Sequence, residues 1–83
     1  MAGELTKAVA DLEEEKSIKM TKDRLAKGED ANKLLTESRE GMELVGKRFG
    51  EGEYFLPELV YSAEIFKQIA EILKPKLKTE VKT

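Results

Sequence analysis

With no cysteine and no histidine among its 83 residues, this chain has a short list of chemistry open to it. It has no thiolate nucleophile and no disulfide framework, and the Cys and His ligands of ordinary zinc sites are missing. No imidazole is present to act as a general base near neutral pH. Carboxylates, lysines, tyrosines and hydroxyls remain, and none falls into a catalytic pattern. Glu58 sits in the first turn of a helix, where a carboxylate complements the helix dipole. The run Glu13-Glu14-Glu15 reads as a solvated helix start, with Glu15 pairing to Lys19 at i,i+4. The chain is therefore read as non-catalytic, with no catalytic residue and no metal ligand. Its conspicuous side chains are apolar. Four of the five aromatic residues, Phe49, Tyr54, Phe55 and Tyr61, fall within thirteen positions, and Tyr54, Phe55 and Leu56 are consecutive in a glycine-rich turn. Such groups do one kind of work: they exclude water from the chain's own core or from a flat hydrophobic partner.

The elements that position these residues are helical. Ala, Leu, Glu and Lys are abundant, and no segment alternates with a period of two long enough for a strand. A first helix is expected over about Glu4–Ala10, with Leu5, Val9 and Leu12 on one face. Asp11 is the expected N-cap of a second helix from Leu12 to about Lys27, and Glu14 would complete a capping box. Gly28 suits the left-handed position past its end. The inward stripe of this helix is Ile18, Thr21, Leu25 and Met20. Asp30 caps Ala31–Glu37, with Leu34 and Leu35 inward. A further segment, Arg39–Arg48, carries Met42, Leu44 and Val45 towards Phe49. Gly41, costly in a helix interior, signals a kink, a break or a close helix crossing, and Gly46 invites the same reading. Gly50 and Gly52 end the segment. Pro57 belongs to the first turn of the last helix, whose inward stripe reads Leu56, Leu59, Val60, Ala63, Phe66, Ala70 and Leu73. Pro75 stops it. Four to five short helices make a small antiparallel all-α bundle.

Composition narrows the partners. The chain is 40% hydrophobic and 39% charged, with a net charge of -2 from 15 basic and 17 acidic groups. It has neither the basic face of a nucleic-acid binder nor the basic amphipathic helix of a membrane-surface protein. No apolar run approaches the roughly 20 residues of a spanning helix. The N-terminus lacks a signal-peptide apolar region, so a cytoplasmic setting is expected.

The segment GMELVGKRFGEGEYFLPELVYSAEIFKQIAEILKPKL (residues 41–77) resembles the helical cap that precedes the cobalamin-binding domain of corrinoid proteins. Such proteins serve methylamine, methanol and aryl-ether methyltransferases, and the same cap occurs in cobalamin-dependent methionine synthase. The shared features are Gly41-Met42, Val45-Gly46, Phe49, the Gly52 turn, Phe55-Leu56-Pro57-Glu58, Ala63 and Leu73-Lys74-Pro75. The AVADLEEEK segment and Gly28 fit upstream, so the likeness runs over about residues 4–77. It implies a four-helix cap over the upper face of the corrin, with Phe49, Phe55, Leu56 and Leu59 meeting the ring. It also implies a gating motion that admits partner methyltransferases. The resemblance further assigns residues 1–77 to the cap and 78–83 to a linker towards an α/β cobalamin-binding domain. That domain would bind the cobalt through the His of a D-x-H-x-x-G loop, which this chain lacks. An excised cap is the expected status; a stand-alone interaction or dimerisation bundle without cofactor, using Phe55 and Leu56 as a dimer or partner surface, is the alternative. Tyr54 is expected to pack the turn, Phe66 to lie in the core, and Phe49 has a competing reading as a core residue closing the bundle.

Overall fold

The computed structural model describes residues 3–77. The helices are α1 (Glu4–Ala10), α2 (Glu14–Ala26), α3 (Ala31–Gly50) and α4 (Leu56–Leu73), followed by a 3₁₀ turn at Lys74–Lys76. They form a small four-helix bundle, with no strand among the described residues. Residues 78–83, read as a linker, lie outside the described residues.

Successive helices reverse direction and form two hairpins, α1–α2 and α3–α4. These pack with α1 on α3 and α2 on α4. The first of these neighbours runs in parallel. Thr6 donates its hydroxyl to the Glu37 carbonyl at 2.7 Å, and four residues on, the Ala10 carbonyl accepts from Arg48 at 2.9 Å. Leu5, Val9, Ala31, Leu34, Ile65, Ile69 and Leu73 form the core, with Ile18, Met20, Leu25, Leu35 and Met42 packed against its edge. Thr21 is fully buried.

The expected segments Ala31–Glu37 and Arg39–Arg48 are one continuous helix. Gly41 neither kinks nor breaks it but marks a close crossing. A Cβ there would lie 2.7 Å from Val9 Cβ and 2.9 Å from the Thr6 carbonyl oxygen. Gly46 has open space around it and permits no such approach. Asp30 caps α3 as expected, accepting from the Asn32 amide at 3.0 Å. Gly28 and Gly52 take positive φ values of 94° and 87°, which glycine adopts without the Cβ clash.

Two local expectations are corrected. Asp11 does not cap α2; it ends α1, its amide donates to the Lys7 carbonyl, and its carboxylate goes to Arg48. The α2 helix starts at Glu14, without a side-chain cap, after the chain turns through Leu12 at φ 61°. Glu14 completes no capping box because its carboxylate accepts from Tyr61 and Gln68 of α4. The ion pair at this helix start is Glu13–Lys16 at 3.8 Å, not Glu15–Lys19.

The second correction concerns the phase of α4. Its core face is Ser62, Ile65, Ile69 and Leu73. Of the expected stripe only Leu73 is fully buried. Leu59, Phe66 and Ala70 are half-buried, and Leu56, Val60 and Ala63 are exposed. The apolar face of this helix is broad at its N-terminal end, where Leu56, Leu59 and Val60 precede Glu64, Lys67 and Glu71, so periodicity alone leaves its inward direction open. The core takes one side of that face, and Leu56 and Val60 at its border are presented.

The far end of the bundle is held by charge. Arg24 makes two 2.9 Å bonds to the carboxylate of Glu37 and a third to Glu29. Glu37 is buried, so an unpaired carboxylate there would be costly. The Arg24 bonds hold the Glu37 carboxyl below its ordinary pKa against the opposing effect of burial.

Candidate functional site

The end of the bundle where α3 passes into α4 is built by the segment Phe49–Leu56. The α3 helix closes on Gly50, and the chain reverses at Gly52; the amides of Glu53 and Tyr54 both donate to the Arg48 carbonyl, at 2.9 and 3.2 Å. Phe55 then takes an extended conformation as the N-cap of α4. Phenylalanine has no acceptor to offer the first-turn amides. The reciprocal half of the cap comes from Glu58, whose Oε1 accepts from the Phe55 amide at 2.9 Å. Glu58 therefore has a structural occupation at the helix start, and its carboxylate is engaged.

This arrangement leaves bulky apolar groups facing water. Phe55 and Leu56 are each 65% exposed and Phe49 is 40% exposed. Leu59 is half-buried. Of the sequence-derived candidates, three are thus presented at one end of the molecule, and the fourth stands at the border between surface and core. Phe49 does not close the core. Val60 was missed: placed in the core by periodicity, it is 63% exposed, one turn beyond Leu56 on the same side of α4. An available signal was the charge on Val60's side of the helix, where Glu64, Lys67 and Glu71 follow within about three turns.

Tyr54 does not share the exposure of its neighbours. Its hydroxyl donates to the Ala10 carbonyl at 2.7 Å and accepts from Arg48 at 3.0 Å, while the guanidinium lies 5.6 Å from the ring centre. It packs the turn against α1, as expected. The hydrogen bonds of Asp11 and Tyr54 hold the Arg48 guanidinium above its already high pKa, so it stays charged. Tyr61 is partly exposed and donates to Glu14 at 3.2 Å. Desolvation, and then the adjacent carboxylate, raise its phenol pKa above the ordinary value.

The chemistry of this end follows from what it presents: aromatic faces and branched methyl groups, with no nucleophile and no soft or imidazole ligand. Among the described residues, no group of three or more potential metal ligands is gathered. A concavity of about 620 Å³, lined by charged groups including Arg24, Lys27, Lys33 and Glu37, belongs to the opposite end. Glu37 and Phe49 are twelve residues apart on one helix, about 18 Å along its axis. No described helix is long and apolar enough to cross a membrane.

Fold and site together define a class of protein: a small helical module with bulky apolar side chains exposed at one end. More specifically, the chain belongs to the B12 binding domain family, whose model matches residues 1–74. Among curated proteins it is similar to trimethylamine corrinoid protein 2 of Methanosarcina mazei and the trimethylamine corrinoid protein of Methanosarcina barkeri. Each is 32% identical over 71 residues, covering 84% of this chain and 33% of the relative. Trimethylamine corrinoid protein 1 of Methanosarcina acetivorans is also 32% identical, over 80 residues, covering 92% of this chain and 37% of the relative. The chain thus spans about a third of the length of these relatives. No solved structure matches it at comparable significance.

Proposed function

We propose that residues 1–77 are the cap of a corrinoid methyl carrier, laid over the upper face of a cobalamin held mainly by a separate α/β domain. The observation that carries this reading is the exposure of Phe55 and Leu56 at 65% each, in a chain of the B12 binding domain family. The residues present suit such a ring. Phe49, Phe55, Leu56 and Leu59 would lie against it, joined by Val60, and each contributes apolar surface where a ligand would compete for cobalt.

When bound, cobalamin supplies the cobalt–carbon chemistry of methyl transfer. The side chains at the end of the bundle exclude water from the ring face and fix the distance at which the cap rests. Because none of them bonds to the ring, the cap can leave as a body and admit partner methyltransferases, which makes it a gate. The chain itself is non-catalytic in this reading, and its setting is cytoplasmic. The names of the curated relatives suggest a trimethylamine system as the place to look first for the methyl donor.

Titration of methylcobalamin into the isotopically labelled chain, followed by NMR, tests the assignment. Shifts should concentrate at Phe49, Phe55, Leu56, Leu59 and Val60, and Phe55→Ala should weaken binding by about tenfold, as expected for losing about 1–2 kcal/mol of apolar contact. Shifts scattered over the charged far end would contradict the assignment. Changes at Phe55 and Leu56 that track protein concentration and ignore cobalamin would mean that these residues contact a second copy.

A further inference from the structure

The apolar end straddles the five-residue turn between α3 and α4, and that turn is tied to the rest of the bundle by side-chain hydrogen bonds. Arg48 serves that turn twice. Its carbonyl accepts from the amides of Glu53 and Tyr54. Its Nη1 shares two N–H donors among the Ala10 carbonyl at 2.9 Å, Asp11 Oδ1 at 2.9 Å and the Tyr54 hydroxyl at 3.0 Å. The Tyr54 hydroxyl returns to the same Ala10 carbonyl at 2.7 Å. One guanidinium and one phenol therefore bind the last turn of α3, the reversal before α4 and the C-terminal end of α1. The partner segment is itself constrained: Leu12, two residues beyond Ala10, holds a left-handed conformation at φ 61°, which disfavours side chains other than glycine. Directly outside this clasp stand Phe49, next to Arg48, and Phe55, next to Tyr54.

We infer that Arg48, Tyr54 and Asp11 are positioning residues that hold Phe49, Phe55 and Leu56 in the pose that meets the ring, so that the cap moves as a rigid body and does not open at its turn. The inference rests on the reading of this end as a cobalamin cover. Ordering the turn in advance removes an entropy cost from each closure of the cap.

Amide hydrogen exchange on the whole chain tests the clasp without any cofactor. Arg48→Met should speed exchange at Glu53 and Tyr54 by about tenfold, and Tyr54→Phe by at least about threefold, while Ile65 and Ile69 in the core keep their wild-type rates. In a methylcobalamin titration the same variants should bind more weakly than wild type, by similar factors, at a temperature well below their thermal midpoints. Unchanged exchange at Glu53 and Tyr54, or an equal rise at Ile65 and Ile69, would overturn the clasp. If wild type gives no methylcobalamin response at Phe55 and Leu56, the cover reading fails, and the exchange data still decide whether the clasp holds the turn.

Discussion

Phe55 and Ile69 are both large apolar residues of the α4 segment, yet they should respond to truncation in opposite ways. Ile69 is fully buried in the core, so Ile69→Ala should cost about 2–5 kcal/mol from lost contacts and the cavity left behind. Phe55 is largely solvated, and Phe55→Ala should change stability by less than about 0.5 kcal/mol. Urea denaturation of the two variants makes the comparison; a cost at Phe55 similar to that at Ile69 would place Phe55 in the core. Gly41 gives the reverse case, where adding a methyl group does the damage. With Val9 Cβ 2.7 Å from the new carbon, Gly41→Ala should destabilise by about 1–3 kcal/mol through overpacking, although alanine is the better helix former. Thermal unfolding would show it as a lower midpoint. The close crossing was among the sequence-based readings of Gly41. Choosing it needed the position of α1, which the chain brings in from more than thirty residues away.

At the scale of elements, α2 and α3 are joined at their turn by the Arg24–Glu37 pair. The folded-state pKa of Glu37 is depressed, mainly by its bonds to Arg24. The unfolded chain therefore binds this proton more readily than the folded one. The resulting stability is fully present above the ordinary glutamate pKa and is lost as pH falls through the lower, folded value. Urea midpoints between pH 6 and pH 3 should decline in wild type and decline less steeply in Glu37→Gln. Arg24→Met should cost roughly 3 kcal/mol at neutral pH by leaving the buried carboxylate unpaired. Helix ends were partly legible in the residues: Asp30, Gly28 and Gly52 act locally, within one turn of chain. Asp11 was misread because a capping side chain has competitors, and Arg48, 37 positions away, claims its carboxylate.

Across the whole molecule, the two ends differ in what they present. Both are tied by an arginine–carboxylate pair, Arg24–Glu37 at one and Arg48–Asp11 at the other, but only the second presents Phe49, Phe55, Leu56 and Val60 to water. Native-state binding of an environment-sensitive apolar dye should be detectable and should fall sharply in a Leu56→Lys/Val60→Lys double variant, whose circular dichroism should match wild type. The sequence by itself determined the all-helical composition, most of the helix ends, the absence of thiol and imidazole chemistry, and the apolar segment around Phe55, but it left open whether α3 was one helix or two. Those properties depend on residue type and on contacts a turn or so apart. Tertiary structure alone decided that α1 lies parallel to α3, that Arg48 and Tyr54 clasp Ala10, and which side of α4 faces inward. Periodicity specifies the spacing of apolar residues along a helix, not which border positions of a broad apolar face turn inward. That choice is made by the other helices. Ser62, Ile65, Ile69 and Leu73 meet them and fill the core, so Leu56 and Val60 are left on the outside, facing water.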